Sequence, residues 1–169
     1  DLIVYDPDDQ DREIARFPFP RQPRGDFLCL ADYYRPVESG EKDVVAFQAV
    51  TVGREADDLA DELQQRGDYS QMLYIHGLSV SLAEAMAEYV HRQIRRELGL
   101  AEEQGKRYSW GYPACPDTDQ HNILFRLLPA ADELGMAVSA GGQIIPEQST
   151  AAIVAHHPEA KYYSTTPLR

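Results

Sequence analysis

Val44-Val45-Ala46-Phe47-Gln48-Ala49-Val50-Thr51-Val52 is nine residues rich in β-branched side chains and free of charge. Such a run reads as a strand, and its unbroken apolarity predicts a central one covered on both faces. Downstream, Ala56, Leu59, Ala60 and Leu63 recur at i, i+3, i+4 and i+7, predicting an amphipathic helix that Gly67 ends. Its acids, Glu55, Asp57, Asp58, Asp61 and Glu62, suit a solvated face near a helix N-terminus. A longer helix is predicted with Leu78, Leu82, Ala85, Met86, Tyr89, Val90 and Ile94 on its buried stripe and Gly99 as its stop. Gly77 predicts a kink or a fresh start near Ser79. A short third helix begins at an Asp117 cap, buries Ile123, Leu124, Leu127 and Leu128, and ends before Pro129. Further strands are predicted at Met136 to Val138, Gln143 to Ile145, Ala151 to Ala155 and Lys161 to Tyr163. Upstream, Leu2-Ile3-Val4-Tyr5, the turn-forming Asp6-Pro7-Asp8-Asp9 and a returning segment from Arg12 to Phe17 suggest a pair of strands. Strands, then helices, then strands, without regular alternation, make the chain α+β.

With 169 residues, the chain has the length of one domain. Its 16 basic and 28 acidic side chains leave a net charge of −12, against a nucleic-acid binder or a polybasic membrane-surface protein. Apolar residues at 43% and charged residues at 26% are globular proportions. No apolar run reaches the ~20 residues of a membrane span. Cys29 and Cys115 are too few for a disulfide framework, so reduced thiols in a cytoplasmic setting are expected. Phosphate-binding loops, dinucleotide fingerprints, paired-cysteine metal motifs and hydrolase elbows are all missing. His156 and His157, if on a strand, point to opposite faces, so no metal site is expected. Cys115 lacks an activating helix N-terminus directly after it, which leaves a cysteine nucleophile as the weakest reading.

One stretch concentrates recognition chemistry: Arg107-Tyr108-Ser109-Trp110-Gly111-Tyr112-Pro113-Ala114-Cys115-Pro116. Prolines stiffen a loop, glycine admits close backbone approach, aromatic faces stack and arginine offers a fork for a carboxylate or phosphate. A rigid connector with buried aromatics is the competing reading.

Arg107-x-x-x-Gly111-Tyr112-Pro113-Ala114-Cys115-Pro116 resembles the signature of the activation domain of cobalamin-dependent methionine synthase. Phe27-Leu28-Cys29-Leu30-Ala31-Asp32-Tyr33, Val45 to Gly53, Leu59-Ala60-Asp61, Leu82 to His91 and His157 to Tyr163 resemble further segments of that family, in order. The resemblance implies a C-shaped α+β domain with a central twisted antiparallel sheet flanked by helices. It implies binding of S-adenosyl-L-methionine and service in the reductive methylation of inactive cob(II)alamin. The cobalamin is expected on a neighbouring domain of the same enzyme, and the electron from flavodoxin or a flavoprotein reductase. Such a domain positions reactants and supplies no acid or base, so no catalytic residue is expected. By the same resemblance Arg107 holds the ligand carboxylate, Glu84 meets its ammonium, and the backbone at Ser109, Gly111 and Ala114 bonds adenine. Tyr112 stands between ligand and corrin, and Tyr162 and Tyr163 line the opposite wall.

The sequence departs from the family in places. Residues 1–169 are expected to be a partial copy, with the part that supplies an aspartate to the ligand site upstream of Asp1. Val80 stands where some members carry an aspartate near the cobalamin domain, and Thr118 where histidine is usual. Arg92, Arg95, Arg96, Lys106 and Arg107 form either a basic docking patch for an acidic electron donor or a solvated helix face. A truncated or stand-alone docking module for a cobalamin-binding domain, without strong S-adenosylmethionine binding, is the alternative function.

Overall fold

A computed structural model describes residues 1–165. Leu2–Tyr5 (β1) and Glu13–Phe17 (β2) form an antiparallel ribbon, as the paired apolar runs predict. A loop with two short 3-10 turns leads to Ala46–Thr51 (β3), then Arg54–Gln65 (α1) and Tyr69–Glu97 (α2). Lys106–Ser109 (β4), His121–Leu127 (α3), Ala130–Leu134 (α4), the small ribbon Ala137–Val138 (β5) with Ile144–Ile145 (β6), and Ser149–Ala155 (β7) complete the order. The architecture is α+β with antiparallel sheets. No described helix is long and apolar enough to cross a membrane.

The main sheet has the order β3-β7-β4, antiparallel throughout. The central strand is therefore β7, not the Val44–Val52 segment, whose ordered part β3 lies at the edge of this three-stranded sheet. Residues 151–155 of β7 are essentially fully buried. Both strands are apolar because helices and loops cover both faces of the sheet, and that covering is independent of position in the strand order. Gln48 and Val50 of β3 are buried, while Phe47 and Ala49 pack on the main core.

Two expectations about α2 fail for physical reasons. Gly77 does not restart it: the helix runs 29 residues without interruption from an Asp68 cap whose side chain accepts the Gln71 N–H at 3.3 Å. One glycine costs about 1 kcal/mol, which a helix this long absorbs. The predicted buried stripe is also misplaced, since Leu78 (65%), Leu82 (45%) and Tyr89 (63%) are exposed. The buried residues are Ser79, Ala83, Ala87 and His91, at i, i+4, i+8 and i+12. Small side chains bring the helix backbone close enough for the Gln48 amide to donate to the Ala87 carbonyl at 3.1 Å. A helix apolar on two sides gives no single stripe to read from sequence.

Gly67 ends α1 with a positive φ of 78°, and the Asp68 N–H reaches back to the Leu63 carbonyl at 2.9 Å, as expected of a terminating glycine. Asp117 caps a 3-10 turn that leads into α3. Residues 161–163 are not a strand. Their backbone is held by tyrosines instead: the Lys161 N–H donates to Tyr33 Oη at 3.3 Å, and its carbonyl accepts from Tyr108 Oη at 2.8 Å.

Candidate functional site

β4 places Arg107 by register. It lies opposite Val154 of β7, and strand alternation turns Tyr108 into the core while Arg107 and Ser109 face the other way. After β4 the chain folds back on itself. The Gly111 N–H donates to the Cys115 carbonyl at 2.9 Å, and the Cys115 N–H returns to the Tyr112 carbonyl at 3.0 Å. Gly111 needs its φ of +89°, and a Cβ there would press on the Thr118 methyl at 3.2 Å. Cys115 Sγ donates to the Ser109 carbonyl at 2.9 Å, and Trp110 Nε1 donates to Gln120 Oε1 at 3.1 Å. The connector reading is thus half true. Tyr108 and Trp110 are core residues, whereas Tyr112 projects with 63% of its surface exposed.

This turn, the tail at 162–164 and one side of α2 enclose a cavity of about 520 Å³. That is within the range of sites for ligands of a few dozen atoms. Glu84, Arg107, Ser109, Tyr112, Ala114, Tyr162 and Tyr163, seven of the eight residues singled out from sequence, line it. Gly111 does not; its backbone shapes the turn. Tyr108, Pro113, Cys115 and Ser164 also line it and were not anticipated as site residues. Pro113 and Cys115 lie in the quoted signature, so their spacing already placed them near.

The cavity is aromatic on one side and charged at one end. Arg107, mostly covered, donates from Nη2 to Glu84 Oε2 at 2.6 Å. Tyr162 packs edge-on against Tyr108 with ring centroids 5.5 Å apart, and Tyr163 is tilted against the same ring at 6.4 Å. Burial pushes the Tyr108 and Tyr163 phenols up, and the Tyr162 phenol as well, so all three are neutral hydroxyls at physiological pH. Burial also pushes the Cys115 thiol up to about 12, which removes the thiolate a nucleophile requires.

Further along α2 lies a second charged group that sequence reading had scattered between a docking patch and a solvated face. Arg95 Nη2 donates to Glu88 Oε1 at 2.9 Å, and its Nη1 lies 3.3 and 3.4 Å from the two ring nitrogens of His91. His91 is buried; burial first, then the Arg95 and Arg107 cations, hold its pKa down at about 4 against the opposing pull of Glu88. Glu88 lies below the ordinary carboxylate range, since the effect of its burial is outweighed by the neighbouring cations, Arg95 foremost and Arg107 more weakly. Three of the five basic residues, Arg92, Arg95 and Arg107, therefore lie in ion pairs with carboxylates of α2. The signal was legible: Glu84, Glu88, His91 and Arg95 recur at i, i+4, i+7 and i+11 on one face.

The family described as vitamin B12 dependent methionine synthase, activation domain, matches residues 1–169. The chain belongs to this family. Methionine synthase of Mycobacterium tuberculosis (strain ATCC 25618 / H37Rv) is 40% identical over 188 aligned positions, covering 97% of this chain and 16% of that protein. Methionine synthase of Mycobacterium leprae (strain TN) is 38% identical over 186, covering 96% and 15%. The chain thus spans about a sixth of the length of these relatives. Among solved structures, the MetH reactivation domain bound to AdoHcy superposes with a TM-score of 0.88 at 30% identity, over 98% of this chain and 57% of that one. The activation-domain fold is therefore present here, with the signature turn lining the cavity of about 520 Å³.

Proposed function

We propose that this activation domain binds S-adenosylmethionine in the 520 Å³ cavity and serves the reductive methylation of cob(II)alamin in a cobalamin-dependent methionine synthase. The observation that carries the reading is the pairing of Arg107 with Glu84 at the charged end of an otherwise aromatic cavity, on the fold of a solved relative bound to AdoHcy. Arg107 and Glu84 satisfy each other at 2.6 Å in the way a ligand carboxylate and ammonium would satisfy them separately. Binding therefore exchanges one internal ion pair for two ligand contacts and leaves no buried charge alone. Tyr162 and Tyr163 supply aromatic surface for the adenosine, and the turn from Ser109 to Ala114 supplies backbone at its edge. Tyr112, exposed at the mouth, is the surface a corrin on a neighbouring domain would meet.

A cobalamin on a neighbouring domain, given one electron by flavodoxin or a flavoprotein reductase, would supply the nucleophile for the sulfonium methyl group, while Arg107 and Glu84 would hold S-adenosylmethionine in place and S-adenosylhomocysteine would remain. The sulfonium leaves as a neutral thioether without taking up a proton, so the reaction asks for orientation rather than general acid–base chemistry. Neutral tyrosines and a neutral Cys115 match that demand.

Calorimetric titration with S-adenosylmethionine and S-adenosylhomocysteine tests the reading. Micromolar or tighter binding is expected. Arg107→Ala should weaken it by about 1.5–3 kcal/mol, the worth of a hydrogen bond to a charged group. A folded chain that binds neither ligand would favour the docking-module function instead.

A further inference from the structure

The cavity lining holds one cation, Arg107, and a second glutamate, Glu88, lies one helical turn from the glutamate it meets. Glu84 and Glu88 are one turn apart on the same face of α2, a spacing that lets one guanidinium reach either. Arg107 meets Glu84 at 2.6 Å, and its charge already acts on Glu88. A guanidinium fork can bind two carboxylates at once, and one so occupied has no donor pair left for a ligand. Glu88 is kept from this by its own partner. Arg95, with 12% of its side chain exposed, donates to Glu88 at 2.9 Å and lies against the buried His91 ring. Arg92 is a poor substitute, exposed and 3.5 Å from the same carboxylate oxygen.

We propose that Arg95 is a positioning residue for the ligand carboxylate: by holding Glu88, it leaves Arg107 able to exchange Glu84 for that carboxylate. This rests on reading the cavity as the S-adenosylmethionine site. It adds a residue outside the cavity lining that acts by withholding a competitor. His91 supports the arrangement as a neutral ring against which the guanidinium lies; a charged imidazolium would repel Arg95 and claim Glu88 itself.

The test is calorimetric titration of the chain with S-adenosylmethionine and with its decarboxylated analogue, which keeps the adenosine, sulfonium and ammonium and lacks the carboxylate. Arg95→Gln should weaken S-adenosylmethionine binding about tenfold, the equivalent of ~1.4 kcal/mol, while the analogue binds as it does to the parent chain. Removing the competitor as well, in Glu88→Gln/Arg95→Gln, should restore binding of S-adenosylmethionine. Arg95→Lys, which keeps a charge on Glu88, should stay nearer the parent than Arg95→Gln. The proposal is overturned if Arg95→Gln binds S-adenosylmethionine normally, if both ligands weaken equally, or if the double variant is no better than the single one. Equal weakening would mark Arg95 as a fold residue. Should Arg95→Gln not fold, Arg95→Lys and the double variant carry the same comparison. A parent chain that binds neither ligand overturns the site reading, and this inference with it; a parent that binds beside an unaffected Arg95→Gln overturns the inference alone.

Discussion

The two walls of the cavity are held in different ways. The turn wall, from Arg107 to Cys115, continues a strand and is fixed by ladder register to β7, by its own crossed backbone bonds and by Trp110 in the core. The tail wall, at 162–164, has no ladder. Lys161 is held by two tyrosine hydroxyls, the Ser164 carbonyl accepts from Gln22 Nε2 at 3.0 Å, and the Thr165 N–H donates to the Pro113 carbonyl at 2.9 Å. One wall is set by secondary structure; the other is set by single hydrogen bonds from distant residues, Tyr108 at a separation of 53, Tyr33 at 128 and Gln22 at 142. A ligand between them meets a fixed surface on one side and an adjustable one on the other.

Removing Trp110 should have the largest effect. Trp110→Ala takes away a ring packed on Phe17 and His121, with centroids at 5.5 and 5.8 Å, and orphans Gln120 Oε1. A loss of about 3–5 kcal/mol is expected in chemical denaturation. A loss below 1 kcal/mol would mean that the turn wall stands without its core anchor.

The helix that closes the charged end should respond to pH. Folded His91 takes its proton only near pH 4, whereas an unperturbed histidine takes one near 6.5. The unfolded chain therefore protonates first as pH falls. The contribution is intact above about 6.5 and is lost on the way down to 4, on the order of 3 kcal/mol. Denaturation at pH 7.5, 6 and 4.5 should show that slope, and His91→Gln should flatten it. An unchanged slope in the variant assigns the pH response to the carboxylates.

Tyr108→Phe probes the tail wall. It removes the 2.8 Å bond to the Lys161 carbonyl and keeps the ring, so stability should fall by about 0.5–1.5 kcal/mol. Hydrogen exchange should rise in 160–164 and stay unchanged in 107–115. Equal exchange in both segments would erase the distinction between the walls. The smallest effect is expected from Lys161→Ala, which deletes an exposed ion pair with Asp26. The midpoint should not move measurably, because solvent screens such pairs.

Local sequence decided the parts of this protein whose information is local. The α1 stop at Gly67, the Asp117 cap, the β1–β2 ribbon and the Arg107–Pro116 turn rest on residue types that act within a few positions of themselves. Seven of the eight residues that the resemblance singles out line one cavity. Gly111 was singled out beside them, yet it bends the chain and does not line the cavity.

Tertiary structure decided the rest. Which of two equally apolar strands lies central depends on pairing partners a hundred residues apart, and β7 takes the centre. Which side of α2 is buried depends on how closely a sheet can approach, and Ser79, Ala83 and Ala87 are selected because they are small. Lys161 to Tyr163 has strand-like composition, but its backbone meets tyrosine hydroxyls before it meets another strand. Arg95 belongs to the same class: its face on α2 is written in the sequence, while its task follows from Arg107 arriving opposite on a different element. Periodicity reports which residues share a side, and only packing determines what that side faces.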